Sequence, residues 1–272
     1  LGYSAAVGKD TPELVCAQER GIPVMSRAEM LGLLMDEYKN SIAISGTHGK
    51  TTTTSMVSLI LDRAKLSPTI LVGGNLSEIG GNVKVGEACE YMDSFLSLKP
   101  KMEIILNIDS DHLDYFKDID HIVSSFDRFA HLVPEAGTII AYDANPFVNR
   151  VIQGLDNVVT FGLNENCDYC AKNILFDENG MPSFDVFHKG EKLNRVQLRI
   201  PGEHNILNAL AAYACGHTLG VDSEIIKETL ESYHGTQRRF DIVGTTSKGV
   251  KIVDDYAHHP TEIKATLDAS QN

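Results

Sequence analysis

An α/β fold, built on a doubly wound and mostly parallel sheet with a small antiparallel sheet beside it, is predicted by three features of the sequence. A buried apolar strand over 41–45 runs directly into Gly46-Thr47-His48-Gly49-Lys50-Thr51-Thr52, and a helical pattern leaves it. From there to residue 162, short apolar strands alternate with helical stretches, as in parallel βαβ units. Between 168 and 200 the pattern changes to alternation of apolar and polar residues, the mark of half-buried antiparallel strands.

Taken in order, 12–20 and 28–38 read as helices with a short strand-like 22–24 between them. The strand at 41–45 is followed by a helix over 50–63, with Met56, Val57, Ile60 and Leu61 at helical spacing. Residues 69–74 and 103–108 read as further buried strands, separated by a Gly-rich segment over 73–86. A helix over 119–133 gathers Ile122, Val123, Phe126, Phe129 and Ala130 on one face. Strands at 138–142 and 157–162 flank a short helix, and Glu178-Asn179-Gly180 marks a turn within the antiparallel region. Helices over 204–219 and 222–233 follow, then a strand pair near 241–245 and 249–254, and a helix starting after Pro260.

Composition narrows the function classes. The 272 residues are enough for about two domains, and 43% hydrophobic with 22% charged residues is ordinary for a globular chain. With 24 Lys+Arg against 37 Asp+Glu, the net charge of −13 argues against general nucleic-acid binding. It leaves room for an anionic nucleotide held by local donors. No apolar run approaches the ~18–20 residues of a membrane span, and no secretory leader pattern opens the chain. Leu1 stands first in place of Met, so the chain is expected to begin inside a longer protein. Five cysteines do not read as a disulfide framework, and the Cys167–Cys170 pair lacks a second pair to complete a zinc site. Reduced thiols of a cytoplasmic protein are expected.

The sharpest local signal is the segment 46–52. Glycines at 46 and 49 let backbone N–H groups converge on phosphate oxygens, and the following helix N-terminus directs about half a positive charge at the anion. Lys50 can bridge the outer phosphates, and the Thr51 hydroxyl can ligate Mg²⁺. Ile44 stands where the strict Walker pattern places its first glycine, so the loop is a shortened variant. The four threonines 51–54 run against helix propensity, as expected where hydroxyls serve a ligand. The bland alternative is a plain strand-to-helix turn.

Further clusters lie at element ends. Asn107, Asp109, Asp111, His112 and Asp114 follow the strand 103–108, where ligands collect in open α/β sheets. They suit metal, phosphate or proton chemistry, or merely cap the next turn. Glu87 and Glu90 are each able to complete a Mg²⁺ shell or to form a solvated pair. Asn205 and Asn208 face one side of a first helical turn, and an Asn amide can read adenine N6 and N7; capping by Asn205 or His204 is the competing role. The cluster Asp254, Asp255, Tyr256, His258 and His259 sits between a strand and a helix, with one functional and one structural His expected.

Together these segments resemble the Mur ligases of peptidoglycan synthesis. The matching stretches are GTHGKTTTTSM, GGNLSEIGGNVKVG, EACEYMDSFL, NIDSDHLDYF, PGEHNILNALAA, RRFDIVG and DDYAHHPTEI, in the family's order across nearly all of 9–268. The last is most similar to the alanine-adding branch. The resemblance implies an ATP-dependent, amide-bond-forming ligase acting on UDP-N-acetylmuramate and L-alanine through an acyl phosphate. A tripeptide-recycling ligase with the same loop, or an ATP-binding module without turnover, are the alternatives. On matched positions it implies that Gly46, Thr47, His48, Gly49, Lys50, Thr51 and Thr52 cradle the ATP phosphates. Lys50 and His112 would be catalytic, Thr51 and Glu87 would hold one Mg²⁺, and His112 the second Mg²⁺ or the transferred phosphate. Asn208 would read adenine, and Arg239 and Asp255 would reach the nucleotide from the hinge and the last domain. It further implies three parts: 1–40 from a UDP-binding domain, 41–236 as a central ATP-binding domain and 237–272 as the start of a ligase domain. The outer two would be pieces of Rossmann-like domains. No Gly-rich turn of that kind precedes Ser41.

Overall fold

The computed structural model describes residues 1–4, 7–69, 85–236, 240–247 and 249–270. The strand expected at 69–74, Arg239 and most of the 73–86 segment lie outside these residues. At the N-terminal end, β1 (Gly2–Tyr3) and β2 (Met25–Ser26) pair in parallel around α1 (Pro12–Glu19). The strand expected at 22–24 falls instead at Met25–Ser26, since Pro23 has no N–H to give a ladder. Ser26 then starts α2 (Arg27–Asp36) with a reciprocal capping box to Glu29.

The main sheet begins with β3 (Ile42–Ser45), which leads through the loop 46–49 into α3 (Lys50–Arg63). There follow β4 (Gly86–Glu87), a 3₁₀ stretch at Tyr91–Ser97, β5 (Met102–Ile105), α4 (Ile119–Ala130), β6 (Thr138–Tyr142), α5 (Pro146–Ile152) and β7 (Val158–Gly162). Strands β8 (Tyr169–Phe176), β9 (Pro182–His188) and β10 (Glu191–Gln197) form the expected antiparallel run. The turn between β8 and β9 is organised by Asp177, whose Oδ1 accepts from the N–H groups of Asn179 and Met181. This antiparallel region is continuous with the parallel one, because β7 pairs β8 in parallel over two positions, Phe161 with Tyr169 and Gly162 with Cys170. The chain ends with α6 (Glu203–Thr218), α7 (Ser223–Ser232), the hairpin of β11 (Asp241–Thr245) and β12 (Lys251–Asp254), and α8 (Pro260–Ser270).

The strand order is β10-β9-β8-β7-β6-β5-β3-β4. From β3 the chain first adds β4 on one side and then β5 on the other, so its direction of growth reverses at β3. That reversal opens a crevice at the carboxyl ends of β3 and β5, and it is there that the loop 46–49 and the segment 107–112 meet. Side-chain alternation sends the two faces of the strands into two cores. Ile42, Ile44, Ile104 and Ile140 pack with Met56, Ile60 and Leu210 of α3 and α6. Ala43, Ile105, Ile139 and Ala141 pack with Phe95, Phe126 and Phe129 on the opposite face. Cys167 and Cys170 are both buried, and burial pushes the Cys167 thiol up to about 12, so it carries negligible thiolate at neutral pH.

Glu103 is the one acidic residue in this central stack, standing between Ala43 of β3 and Ile139 of β6. It is fully buried, its Oε1 accepts from the Ser45 hydroxyl at 2.9 Å, and its Oε2 has no partner among the described residues. Burial pushes its carboxyl from 4.5 up to about 8. The folded protein therefore keeps it protonated at neutral pH, while the unfolded chain ionises it above 4.5. Stability is accordingly lost as pH rises through this window, by about 3 kcal/mol between pH 4.5 and 7. Glu103→Gln keeps the shape without the proton and is expected to flatten this slope. Denaturant midpoints of both proteins at pH 5 and pH 7.5 check it; equal slopes would exclude the assignment.

Candidate active site

The loop after β3 is shaped by two glycines in the left-handed half of backbone space, Gly46 at φ +136° and Gly49 at φ +84°. Gly49 is also the N-cap of α3 and supplies no side chain to its free N–H groups, which remain available to an anion. Space as well as conformation excludes a side chain: a Cβ on Gly49 would lie 2.5 Å from Asn208 Oδ1, and one on Gly46 3.1 Å from the Asn107 N.

What holds the loop is the chain leaving β5. The Asn107 amide grips the His48 backbone from both sides, Oδ1 accepting from its N–H at 2.8 Å and Nδ2 donating to its carbonyl at 3.0 Å. The Thr47 N–H donates to the Asn107 carbonyl at 3.2 Å, and the Asp109 N–H donates to the Thr47 hydroxyl at 2.9 Å. Clamping the loop is thus a third role for this segment, beside the ligand chemistry and turn capping that its sequence left open.

Lys50, the first residue of α3, donates to both oxygens of Glu90 at 3.1 and 3.0 Å and to the carbonyls of Gly46 and Thr47. Glu90 is 2% exposed, so the pair is sheltered from water. His112, itself at φ +52°, stands 3.9 Å from Glu90 and 3.8 Å from Asp111, with its ring 4.9 Å from that of Tyr91. One ligand atom each from Glu90, Asp111 and His112 lie within 4.8 Å of one another, a grouping able to hold a cation. Thr51 is half-buried in the first turn of α3. Glu87 ends β4, in register with Ile44, and belongs to no such grouping among the described residues. The stretch carrying Glu90 is fixed through Asp93, at φ +56°, which accepts from the Ser125 hydroxyl, Arg128 (2.7 Å) and Tyr115 (3.2 Å).

Beside the loop lies a cavity of about 460 Å³ bounded by Gly49 and Thr52, by Asn205 and Asn208 of α6, and by Phe240 and Asp255. Neither Asn caps α6, whose N-cap Gly202 lacks a side chain. They form a buried polar chain: the Thr53 hydroxyl donates to Asn208 Oδ1 at 3.3 Å, Asn208 Nδ2 to Asn205 Oδ1 at 3.0 Å, and Asn205 Nδ2 to the Pro201 carbonyl at 2.7 Å. Asp255 lines the cavity while bracing its wall, accepting from the Phe240 and Ala257 N–H groups and from the Thr266 hydroxyl. Thr52 lines it too, whereas Arg239 lies outside the described residues.

The turn before α8 closes the other side of the loop. His48 lies 3.2 Å from Glu262 and 3.4 Å from Asp109, and His259 Nε2 lies 2.9 Å from the Ser110 carbonyl. Of the two neighbouring histidines His259 is therefore the one turned to the site, and His258 points to solvent, 3.7 Å from Glu262. Partial burial works against ionisation of Asp109, yet hydrogen bonds from the Ser110 N–H, the Thr261 hydroxyl and His48 outweigh it and hold the carboxyl below its ordinary range.

Residues 44–216 match the family described as the Mur ligase middle domain, 238–272 match the Mur ligase glutamate ligase domain, and 2–39 match the Mur ligase family catalytic domain. The chain belongs to the Mur ligase family. It is 52% identical over 278 residues to the UDP-N-acetylmuramate–L-alanine ligase of Caldanaerobacter subterraneus subsp. tengcongensis, covering 99% of this chain and 60% of that protein. The UDP-N-acetylmuramate-alanine ligase structure from Thermotoga maritima superposes with a TM-score of 0.84 at 29% identity, over 99% of this chain and 63% of that one. The UDP-N-acetylmuramate:L-alanyl-γ-D-glutamyl-meso-diaminopimelate ligase of Neisseria meningitides follows with a TM-score of 0.75 at 27% identity, over 87% of this chain and 80% of that one. This Mur ligase chain spans about 60% of the length of the curated relatives it matches.

The partners of Lys50 and the clamp on His48 are what sequence reading missed. Glu90 stood as one of two equivalent acids, and nothing in the sequence tells which meets a lysine forty residues away. Asn107 carried a weak signal, being an amide at the end of an otherwise apolar strand. Asn107→Ala leaves both His48 backbone groups without this partner and is expected to cost about 1–3 kcal/mol of stability. It should also speed amide exchange at His48. Denaturant unfolding together with hydrogen exchange measures both; unchanged exchange would show that the clamp does not hold the loop.

Proposed function

We propose that this chain carries the nucleotide-binding and phosphoryl-transfer part of an ATP-dependent UDP-N-acetylmuramate–L-alanine ligase. Its divisions would be 1–40 as a piece of the UDP-binding domain, 41–236 as the ATP-binding domain and 237–272 as the start of the ligase domain. The observation that carries this reading is the convergence of an open helix N-terminus, Lys50 and the Glu90–Asp111–His112 group at one crevice beside a cavity of about 460 Å³. The alanine-adding branch is supported by identities of 49–52% to curated alanine ligases and, among solved structures, by a TM-score of 0.84 to an alanine ligase against 0.75 to the tripeptide ligase.

The residues present fit ATP. Triphosphate oxygens would lie in the loop 46–52, against the N–H groups from Gly49 onward, in the cradle that a Cβ at Gly49 would fill. Lys50 would leave Glu90 for the β- and γ-phosphate oxygens. Asn208 has one N–H and one lone pair left after its bonds to Asn205 and Thr53, which suits the N7 and N6 of adenine. Arg239 and Asp255 would contact the nucleotide from the far wall. The oxygen donors Thr51 and Glu87 would hold one Mg²⁺, and His112, grouped with the carboxylates of Glu90 and Asp111, would meet the second ion or the transferred phosphate. When bound, Mg²⁺ would neutralise charge on the phosphates.

In the reaction, a carboxylate oxygen of UDP-N-acetylmuramate forms a bond to the γ-phosphorus while the bond to ADP breaks, giving an acyl phosphate. The L-alanine amine then attacks the acyl carbon; phosphate leaves, and the amine gives up a proton. Most of the catalysis asked of the chain is positioning and charge stabilisation.

Lys50→Ala in the complete protein is expected to lower ATP-dependent phosphate release by at least about a hundredfold. Asn208→Ala should raise the KM for ATP by about tenfold with less effect on kcat. Steady-state assays with UDP-N-acetylmuramate and either L-alanine or the tripeptide decide the amine. Faster turnover with the tripeptide would reassign the substrate, and wild-type turnover by Lys50→Ala would overturn the site.

A further inference from the structure

A second group of potential ligand side chains lies outside the Lys50–Glu90 pair, and no step above uses those side chains. We propose that His48, Asp109 and His259 form a binding site for a divalent transition-metal ion of the zinc class, at the seam between the phosphate-binding loop and the turn before α8. One ligand atom from each lies within 4.8 Å of the others, and all three side chains are half-buried, sheltered yet reachable. They come from three stretches far apart in sequence: the loop after β3, the segment after β5 and the turn after β12.

The arrangement around His48 is that of a ligating imidazole. Its Nδ1 lies 3.2 Å from Glu262 Oε1, which fixes the ring and leaves Nε2 toward Asp109 Oδ2 at 3.4 Å. A carboxylate holding the far nitrogen of a metal-bound histidine is the usual outer-shell partner. The His259 ring stands 4.6 Å from that of His48. To bind through Nε2, His259 gives up its 2.9 Å contact with the Ser110 carbonyl and moves its proton to Nδ1, losing the 3.2 Å bond that Nδ1 accepts from the Thr261 N–H. Asp109 stays in place through the Thr261 hydroxyl at 2.9 Å. Two imidazoles and one carboxylate, with a position left for water, suit zinc-class ions; Mg²⁺ demands an octahedron of oxygens and is a poor match. Since His48, Asp109 and Glu262 also line the cavity, an ion here fixes the turn of 255–262 against the phosphate loop.

Cobalt(II) is the probe, added to this chain in excess Mg²⁺ and followed by visible absorption. A saturable band with one ion per chain is expected, stronger than that of aqueous cobalt. His112→Gln, which removes the only imidazole of the other cluster, should retain it. His259→Gln and Asp109→Asn should lose it while keeping the wild-type circular dichroism, and cobalt should raise the melting temperature of the wild type but of neither variant. Glu262→Gln should bind about 10–100-fold more weakly. Absence of the band in wild-type protein, or its loss in His112→Gln with retention in His259→Gln, overturns the proposal.

Discussion

The structure depends on keeping the backbone of residues 46–49 in place while leaving the N–H groups at the start of α3 open to an anion. A loop meant to receive an anion cannot satisfy its donors in a helix or a ladder, so its rigidity has to come from outside. Asn107 provides it by gripping the carbonyl and N–H of one residue, His48, and the Thr47–Asp109 contacts extend the seam. The clamp exists only because β5 lies directly beside β3. The strand order is thus a condition for the site as well as a consequence of core packing. Gly49 belongs to the same constraint from the other side, since α6 brings Asn208 into the space that any side chain would need.

Charge is handled in a similarly closed way. Glu90 is almost wholly buried, and a buried carboxylate requires a cation or several donors close by. Lys50 meets that need with both oxygens engaged, and two loop carbonyls complete its own hydrogen bonding. Any anion that draws Lys50 away exposes Glu90 to the full cost of an unpaired charge, unless another cation takes over. His112, at a left-handed backbone position, stands 3.9 Å from Glu90. The left-handed pair Met92 and Asp93 on the opposite segment, with Asp93 held by Ser125, Arg128 and Tyr115, has a role in fixing where Glu90 stands.

Local pattern made the central elements legible. The helix over 50–63 coincides with α3, and the strands at 41–45, 138–142 and 157–162 fall within one residue of β3, β6 and β7, because each is a strongly apolar segment bounded by glycine or polar residues. Pairings across the fold were not legible. Spacing made Glu87 and Glu90 equivalent, and only the 3₁₀ stretch after β4 brings Glu90 to Lys50. Asn205 was open as a helix cap, but Gly202 takes that position and frees both Asn side chains for the chain of bonds to Thr53. Asp255 was assigned to the nucleotide by resemblance, and the structure shows it bracing Phe240 and Thr266 at the cavity wall. The Lys50–Glu90, Thr53–Asn208, Phe240–Asp255 and Thr266–Asp255 contacts join residues at least eleven positions apart, which no periodicity encodes. The burial of Glu103 is a different case: one charged residue in an apolar strand signals an anomaly, and the sheet then reveals that it is kept neutral.

The net charge of −13 has a local counterpart that constrains how the loop works. Among the described residues, Glu90, Asp109 and Glu262 stand around residues 46–50, with Asp111 near Glu90, against the positive charge of Lys50. The N-terminus of α3 adds about half a charge more. A triphosphate arriving alone would meet net repulsion at short range, where screening by salt is weakest. The loop geometry supplies shape and hydrogen bonds but too little positive charge. On the proposed function, cations entering with the anion would supply binding strength, and the acidic residues that make the bare loop repulsive would hold them. On that reading, replacing those acids by neutral residues would reduce the repulsion and also remove the ligands, so the acidity of this surface would favour a metal-bound anion over a free one.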